Sequence, residues 1–234
     1  MAMYNRRYLQ NGSAQTYAHT ETRTQAQIST FIKQTYQLFA ASLLAASAGA
    51  YVGLGMAHTI ASFFWPLVIL EFATLFGLYA AKKKAGLNMA LLFAFTFLSG
   101  LTLTPLLSAV LGLPGGAGIV ANAFALTTIA FGGLSVFAMN TKREFGAMGK
   151  MLFIALIILI AGSLINIFLG SPVFQLAIAG IGAFIFSAFI LYDTQNIIRG
   201  AYETPIEGAI ALYLDFLNLF VSLLQLLAAL SGRD

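Results

Sequence analysis

Residues 151–192 read MLFIALIILIAGSLINIFLGSPVFQLAIAGIGAFIFSAFILY, without one Asp, Glu, Lys, Arg or His. An α-helix needs about 20 apolar residues to cross a bilayer, so this run holds two crossings joined at Gly170-Ser171-Pro172, a turn signal. A membrane barrel would alternate polar and apolar residues over segments of about ten. The runs here are twice that length and do not alternate. Working outward from this stretch, clusters of charge separate further apolar runs, and the chain divides into seven helices at about 34–56, 60–81, 87–111, 118–140, 150–170, 173–199 and 208–230. The fold class is all-α: a polytopic membrane protein with seven transmembrane helices.

Composition agrees. Of 234 residues, 59% are hydrophobic and 9% charged, with a mean hydropathy of +0.87, whereas a soluble domain carries about 25% charged residues. The absence of cysteine excludes a disulfide scaffold, a thiol nucleophile and thiolate metal sites. Two scattered histidines, His19 and His58, make a poor basis for a metal centre. Residues 1–30 are rich in Gln, Thr, Asn and Arg and read as a disordered cytoplasmic tail, leaving 31–234 as the transmembrane domain. Arg6, Arg7, Arg23, Lys33, Lys82, Lys83, Lys84, Lys142, Arg143, Lys150 and Arg199 fall on one side of the seven crossings, against Arg233 alone on the other. By the positive-inside rule the N-terminus is cytoplasmic. That asymmetry also accounts for the net charge of +4, leaving no separate basic patch for nucleic acid. The seventh helix, interrupted by Asp215, either crosses fully or re-enters.

Eight acids are present. Glu21, Glu144, Glu203, Glu207 and Asp234 fall in tails or connections and are expected to be solvated. Glu71, Asp193 and Asp215 fall inside apolar runs, where a carboxylate costs about 2.5–3.5 kcal/mol on insertion scales and so marks a functional candidate. Asp193 and Asp215 each lie eleven residues from Thr204, the expected apex of a hairpin closing at Gly200 and reopening near Gly208. Antiparallel packing would then bring the two to one level, roughly 10 Å deep on the cytoplasmic side. Carboxylates held together in a poorly solvated place share a proton and titrate as a unit. With both protons lost they form a hard-oxygen site suited to calcium. Asp193 and Asp215 are thus both the candidate pH sensor and the candidate metal ligands.

Asp215, Asn218, Ser222 and Gln225 recur at helical spacing, within an arc of about 80°. A polar stripe at membrane depth must be buried against protein or water, which puts the seventh helix at the centre of the bundle and makes these residues candidate pore lining. The plainer alternative is interhelical glue at about 0.6 kcal/mol per contact. On the second helix Glu71 and Lys82 share a face. Lys82 could latch onto Asp193 or Asp215, or simply snorkel; Glu71 is either a deep cation stop or a hydrogen-bonded structural acid. Gly49 and Gly53 form a small-residue packing motif, and Pro105 should kink the third helix near Thr102 and Thr104.

The segments Leu191-Tyr192-Asp193-Thr194-Gln195, Ala211-Leu212-Tyr213-Leu214-Asp215-Phe216-Leu217-Asn218-Leu219-Phe220 and Asn140-Thr141-Lys142-Arg143-Glu144-Phe145 resemble the Bax inhibitor-1 family in its bacterial branch. The resemblance implies seven helices with the last one central, residence in the bacterial inner membrane, and a pH-sensitive calcium leak whose paired-aspartate sensor maps onto Asp193 and Asp215. It implies a latch at the cytoplasmic end of helix two, often arginine, which falls here on Lys82. It implies no enzymatic activity and no resident cofactor, with Ca²⁺ as the transported ion and the lipid bilayer as the surrounding partner. The alternative function it suggests is an interaction protein that modulates a membrane-anchored AAA protease, for which the N-terminal tail is a suitable handle. A third possibility, an intramembrane aspartyl protease, needs Gly-x-Gly ahead of its second aspartate; Tyr213-Leu214 stands there instead.

Overall fold

A computed structural model describes residues 25–231; most of the expected tail, with Arg233 and Asp234, lies outside the described residues. Among these the chain is helical, with no strand, and seven segments are long and apolar enough to cross a membrane: Gln25–Gly55, Phe64–Ala81, Leu87–Leu111, Gly116–Asn140, Gly146–Leu169, Pro172–Ile198 and Pro205–Ser231. They are called spans one to seven below. Span one starts well before residue 34, so that 25–30, read as tail, are helical. The second expected helix is broken at Phe63 into Ala57–Ser62 and Phe64–Ala81. Pro66 supplies the reason, having no N–H for the carbonyl of Ser62.

Span seven is the hub. Half of its most apolar window is buried, against 11% for spans two and five, and it packs on spans one, three, four and six. Tyr213 is wholly enclosed, its ring edge-on to Phe95 and its hydroxyl hydrogen-bonded to Ser99. Phe216 meets Phe39 and Phe131 in an aromatic cluster, with the latter two stacked at 4.8 Å. Spans one and three are held by the absence of side chains. A Cβ on Gly49 would sit 2.1 Å from the Phe97 carbonyl oxygen, and one on Gly100 would sit 2.0 Å from that of Ala46. Small residues let membrane helices meet backbone to backbone in this way.

Pro105 breaks span three as expected, into Leu87–Thr102 and Thr104–Leu111. The residue at the break, Leu103, keeps its N–H on the carbonyls of Ser99 and Leu101. Thr102, the last helical residue before the break, points its hydroxyl to Glu71 on span two and to the carbonyl of Ser99.

The hairpin between spans six and seven differs from expectation. Span six closes as foreseen: Gly200 adopts φ +67° and the N–H of Ala201 returns to the carbonyl of Asn196, the left-handed stop that glycine permits. Span seven, however, starts at Pro205 and not near Gly208. Thr204 Oγ1 accepts from the N–H of Glu207 at 3.4 Å, while Glu207 Oε2 accepts from the N–H groups of Glu203 and Thr204 at 2.9 and 3.1 Å. Thr204-Pro205-Ile206-Glu207 is therefore a capping box with proline in the first helical position. Glu207, expected to be solvated, is buried because the helix needs its carboxylate for orphan N–H groups. Gly208 lies within the helix, where a Cβ would come within 3.0 Å of Ile197 and Thr35.

Candidate functional site

Span six ends and span seven begins at the basic end of the bundle, and their antiparallel packing brings Asp193 and Asp215 together. The two carboxyl groups lie side by side in the wall of one cavity, and both side chains are buried, at 5% and 4% exposure. Asp193 Oδ1 accepts from the Tyr202 hydroxyl at 2.7 Å and, more weakly, from Asn196 Nδ2 at 3.5 Å. Asp215 Oδ2 has no protein donor; its neighbour Asp193 can donate only while it carries a proton. A buried acceptor without a donor is among the costlier features a fold can hold.

These acids form part of the wall of a cavity of about 830 Å³. Glu71, Asn218, Ser222 and Gln225 line it as well, so six of the seven residues singled out from the sequence face one space. Their individual bonds differ. Glu71 Oε2 accepts from Thr102 Oγ1 at 2.7 Å, joining span two to span three just before the break that Pro105 makes. Asn218 spends one amide hydrogen on the carbonyl of Leu214, at 2.7 Å. Gln225 Oε1 accepts from Gln175, which in turn accepts from Asn166, at 2.9 and 2.8 Å; this amide chain ties spans five, six and seven together. Ser222 lies where a Cβ on Gly182 would come within 2.8 Å of its hydroxyl.

Lys82 does not meet the aspartates. Its Nζ lies 2.6 Å from Glu207 Oε1 and 3.2 Å from Glu203 Oε2, and Lys83 reaches Glu203 at 3.0 Å. The reason is the earlier helix start, which turns Glu207 toward the end of span two. The four residues strap the connection after span two to the hairpin. Glu207, followed by Glu203, holds the Lys82 ammonium above its ordinary range, and Lys83, followed by Lys82, holds Glu203 below the usual carboxylate range. A lowered acid contributes stability above its ordinary range that is lost as pH falls through the lowered value. A raised base contributes stability below its ordinary range that is lost as pH rises through the raised value. The strap is therefore whole throughout the window between the two.

Glu207→Ala removes the reciprocal half of the capping box, the acceptor of the Glu203 and Thr204 N–H groups, and the nearest acceptor of Lys82, while Thr204 keeps its bond to the N–H of residue 207. Loss of a capping bond costs about 0.5–2 kcal/mol, so the melting temperature in detergent should fall, and less of it should depend on salt than in the wild type. An unchanged melting temperature would remove the capping box from the account.

Two site residues were not singled out from the sequence. Tyr202, in the short hairpin connection, covers Asp193 from the basic end; burial, and next the charge of Asp193, raise its phenol above the ordinary range. Gln195, almost wholly buried, donates to the carbonyl of Arg143 at 2.6 Å and accepts from the N–H of Phe145 at 2.7 Å. It fixes the connection between spans four and five beside the Asp193 turn. Arg199 adds an exposed contact to Glu144 at 3.4 Å, of the kind worth little.

Among the described residues no three acidic or histidine side chains gather as a metal site would require. Calcium takes six to eight oxygens when held firmly.

Fold and site together define a class: a polytopic helical membrane protein whose central helix and its hairpin partner each bring one buried aspartate to a shared cavity. Residues 28–232 match the family described as inhibitor of apoptosis-promoting Bax1, and the chain belongs to that Bax inhibitor-1 family. It is 57% identical over 240 residues to an uncharacterised protein of Campylobacter jejuni, with 100% of both chains covered. It is 48% identical over 234 residues to one of Helicobacter pylori, again over 100% of both. An uncharacterised membrane protein of Vibrio cholerae is 36% identical over 208 residues, covering 87% of this chain and 91% of its own.

Proposed function

We propose that the protein is a calcium leak of the bacterial inner membrane, with a cytoplasmic N-terminus, in which Asp193 and Asp215 sense protons and Glu71 lines the route. No bond is made or broken; the protein lets an ion descend its gradient. The observation that carries the reading is the burial of the two aspartates side by side in the wall of the cavity that Glu71 and the polar stripe also line. A shared proton leaves the pair with one negative charge and a hydrogen bond that holds spans six and seven together. Loss of that proton leaves two like charges in contact, which repel and attract a divalent cation through oxygen ligands. Protons and calcium thus compete for the same oxygens, and flux falls as the basic-end solution is acidified.

The test uses the purified protein in liposomes loaded with a calcium dye, with external pH stepped between 5 and 8. The wild type should show a pH-dependent flux. Asp193→Asn combined with Asp215→Asn, which preserves shape but not charge, should flatten the profile and reduce flux about tenfold, the factor given by about 1.4 kcal/mol of lost ion stabilisation. The same flux and the same profile in the double variant would refute the sensor.

A further inference from the structure

The cavity beside the aspartates is not a closed chamber. Span two packs on span three, and span five packs on span six, so these two outer spans flank the cavity as separate walls. Phe72 on span two and Ile160, Leu164 and Ile167 on span five line it, and each is more than half exposed. All four lie within membrane-spanning segments. The opening between these spans therefore faces lipid, not water, and a void there fills with hydrocarbon or with a molecule that partitions into the bilayer.

The two faces of this cleft have opposite chemistry. Its mouth is aliphatic and aromatic. Its floor, on spans six and seven, carries Asp193 and Asp215, and Glu71 stands on a side wall; among the described residues none that lines it is basic. The floor offers acceptors and negative charge, and Asp215 Oδ2, 4% exposed as a residue, is a buried oxygen still lacking a donor. A volume of about 830 Å³ falls within the range of about 300–1,000 Å³ that holds small-molecule ligands. An acidic head is excluded by repulsion, and a neutral alcohol supplies a single donor. A primary ammonium supplies three donors and the complementary charge.

We propose that the cleft between spans two and five is a bilayer-facing site for single-tailed cationic amphipaths, with the ammonium on the Asp193–Asp215 pair and the tail between Phe72, Ile160 and Leu164. The ammonium occupies the oxygens proposed above for calcium, so such a molecule blocks the leak from within the membrane. The site shares the aspartates with that function, but its binding can be read without any ion flux, so either can fail alone.

The test places the full chain in nanodiscs of phosphatidylcholine with a dodecylamine carrying a photoreactive diazirine in its tail. Labelled residues are mapped by mass spectrometry. Labelling should concentrate on Phe72, Ile160, Leu164 and their neighbours. Dodecylamine should compete for it best, dodecanol about tenfold less well and dodecanoic acid least, because charge-assisted bonds are the strong ones. Asp215→Asn should weaken competition by the amine about tenfold while leaving that by the alcohol almost unchanged. Ile160→Trp, at an exposed position that tolerates bulk, should narrow the mouth and reduce labelling. Labels spread evenly over outward residues such as Phe168 and Phe184, an acid that competes as well as the amine, or labelling indifferent to both variants would each overturn the site.

Discussion

Gly100→Val should leave little folded protein. A Cβ at this position falls 2.0 Å from the carbonyl oxygen of Ala46 and 2.8 Å from the nitrogen of Ala50, and both obstacles are backbone. Overpacking against side chains costs about 1–3 kcal/mol because neighbours can change rotamer. A helix backbone cannot, so the loss here should exceed about 3 kcal/mol, through displacement of a whole span. Gly49 faces the same barrier from the other side, with the carbonyl of Phe97 at 2.1 Å. The consequence reaches the site, because span three carries Ser99 to the Tyr213 hydroxyl and Thr102 to Glu71. The check is the fraction of monodisperse protein after detergent extraction, followed by thermal unfolding of what remains. Gly132→Ala and Gly180→Ala, which meet nothing within 4 Å, are the controls; they should be neutral or slightly stabilising, since alanine is the better helix former. A Gly100→Val protein that melts with the controls would show that spans one and three do not pack as described.

What the sequence made legible, and what it hid, follows from the range of each physical effect. Hydrophobicity acts on every residue of a crossing in the same way, so the crossings and the central place of span seven could be read from runs and stripes. The pairing of Asp193 with Asp215 could be read too, because a hairpin forces residues equidistant from its apex to one level. The partner of Lys82 could not be read so directly. Which acid a lysine meets across 125 residues depends on the rotation of two helices, and shifting the start of span seven from Gly208 to Pro205 was enough to change it. That shift had a local signal: threonine, proline and glutamate spaced as a capping box. Glycine at 208 was the false cue, since its smallness serves close approach by Ile197 and Thr35 and not a turn. Tyr202 had no local signal at all. One aromatic residue in the six-residue connection 199–204 is unremarkable until the carboxylate beneath it is seen.

Glu71 separates structure from function most sharply, and Glu71→Leu should push the two in opposite directions. Its carboxylate accepts one hydrogen bond, from Thr102 Oγ1, and that hydroxyl has a second acceptor in the carbonyl of Ser99 at 3.1 Å. Removing Glu71 therefore orphans no buried donor, and it takes a half-buried acid out of a largely apolar cavity wall. Leucine there suits the neighbouring Phe72 and Leu75, so the melting temperature should hold or rise. The leak should behave otherwise. A cation that has left the aspartates meets no acid but Glu71 along the cavity, and without Glu71 its passage through a low-dielectric stretch loses a counter-charge. Flux should fall about tenfold or more, while Glu71→Gln, which keeps oxygen but not charge, should lie between. A residue kept at a site where an apolar one would be more stable is retained for activity and not for folding. The opposite result, a lower melting temperature with unaltered flux, would make Glu71 a strut tying span two to span three just before its proline break, and would leave the aspartate pair as the sole acidic stop in the cavity.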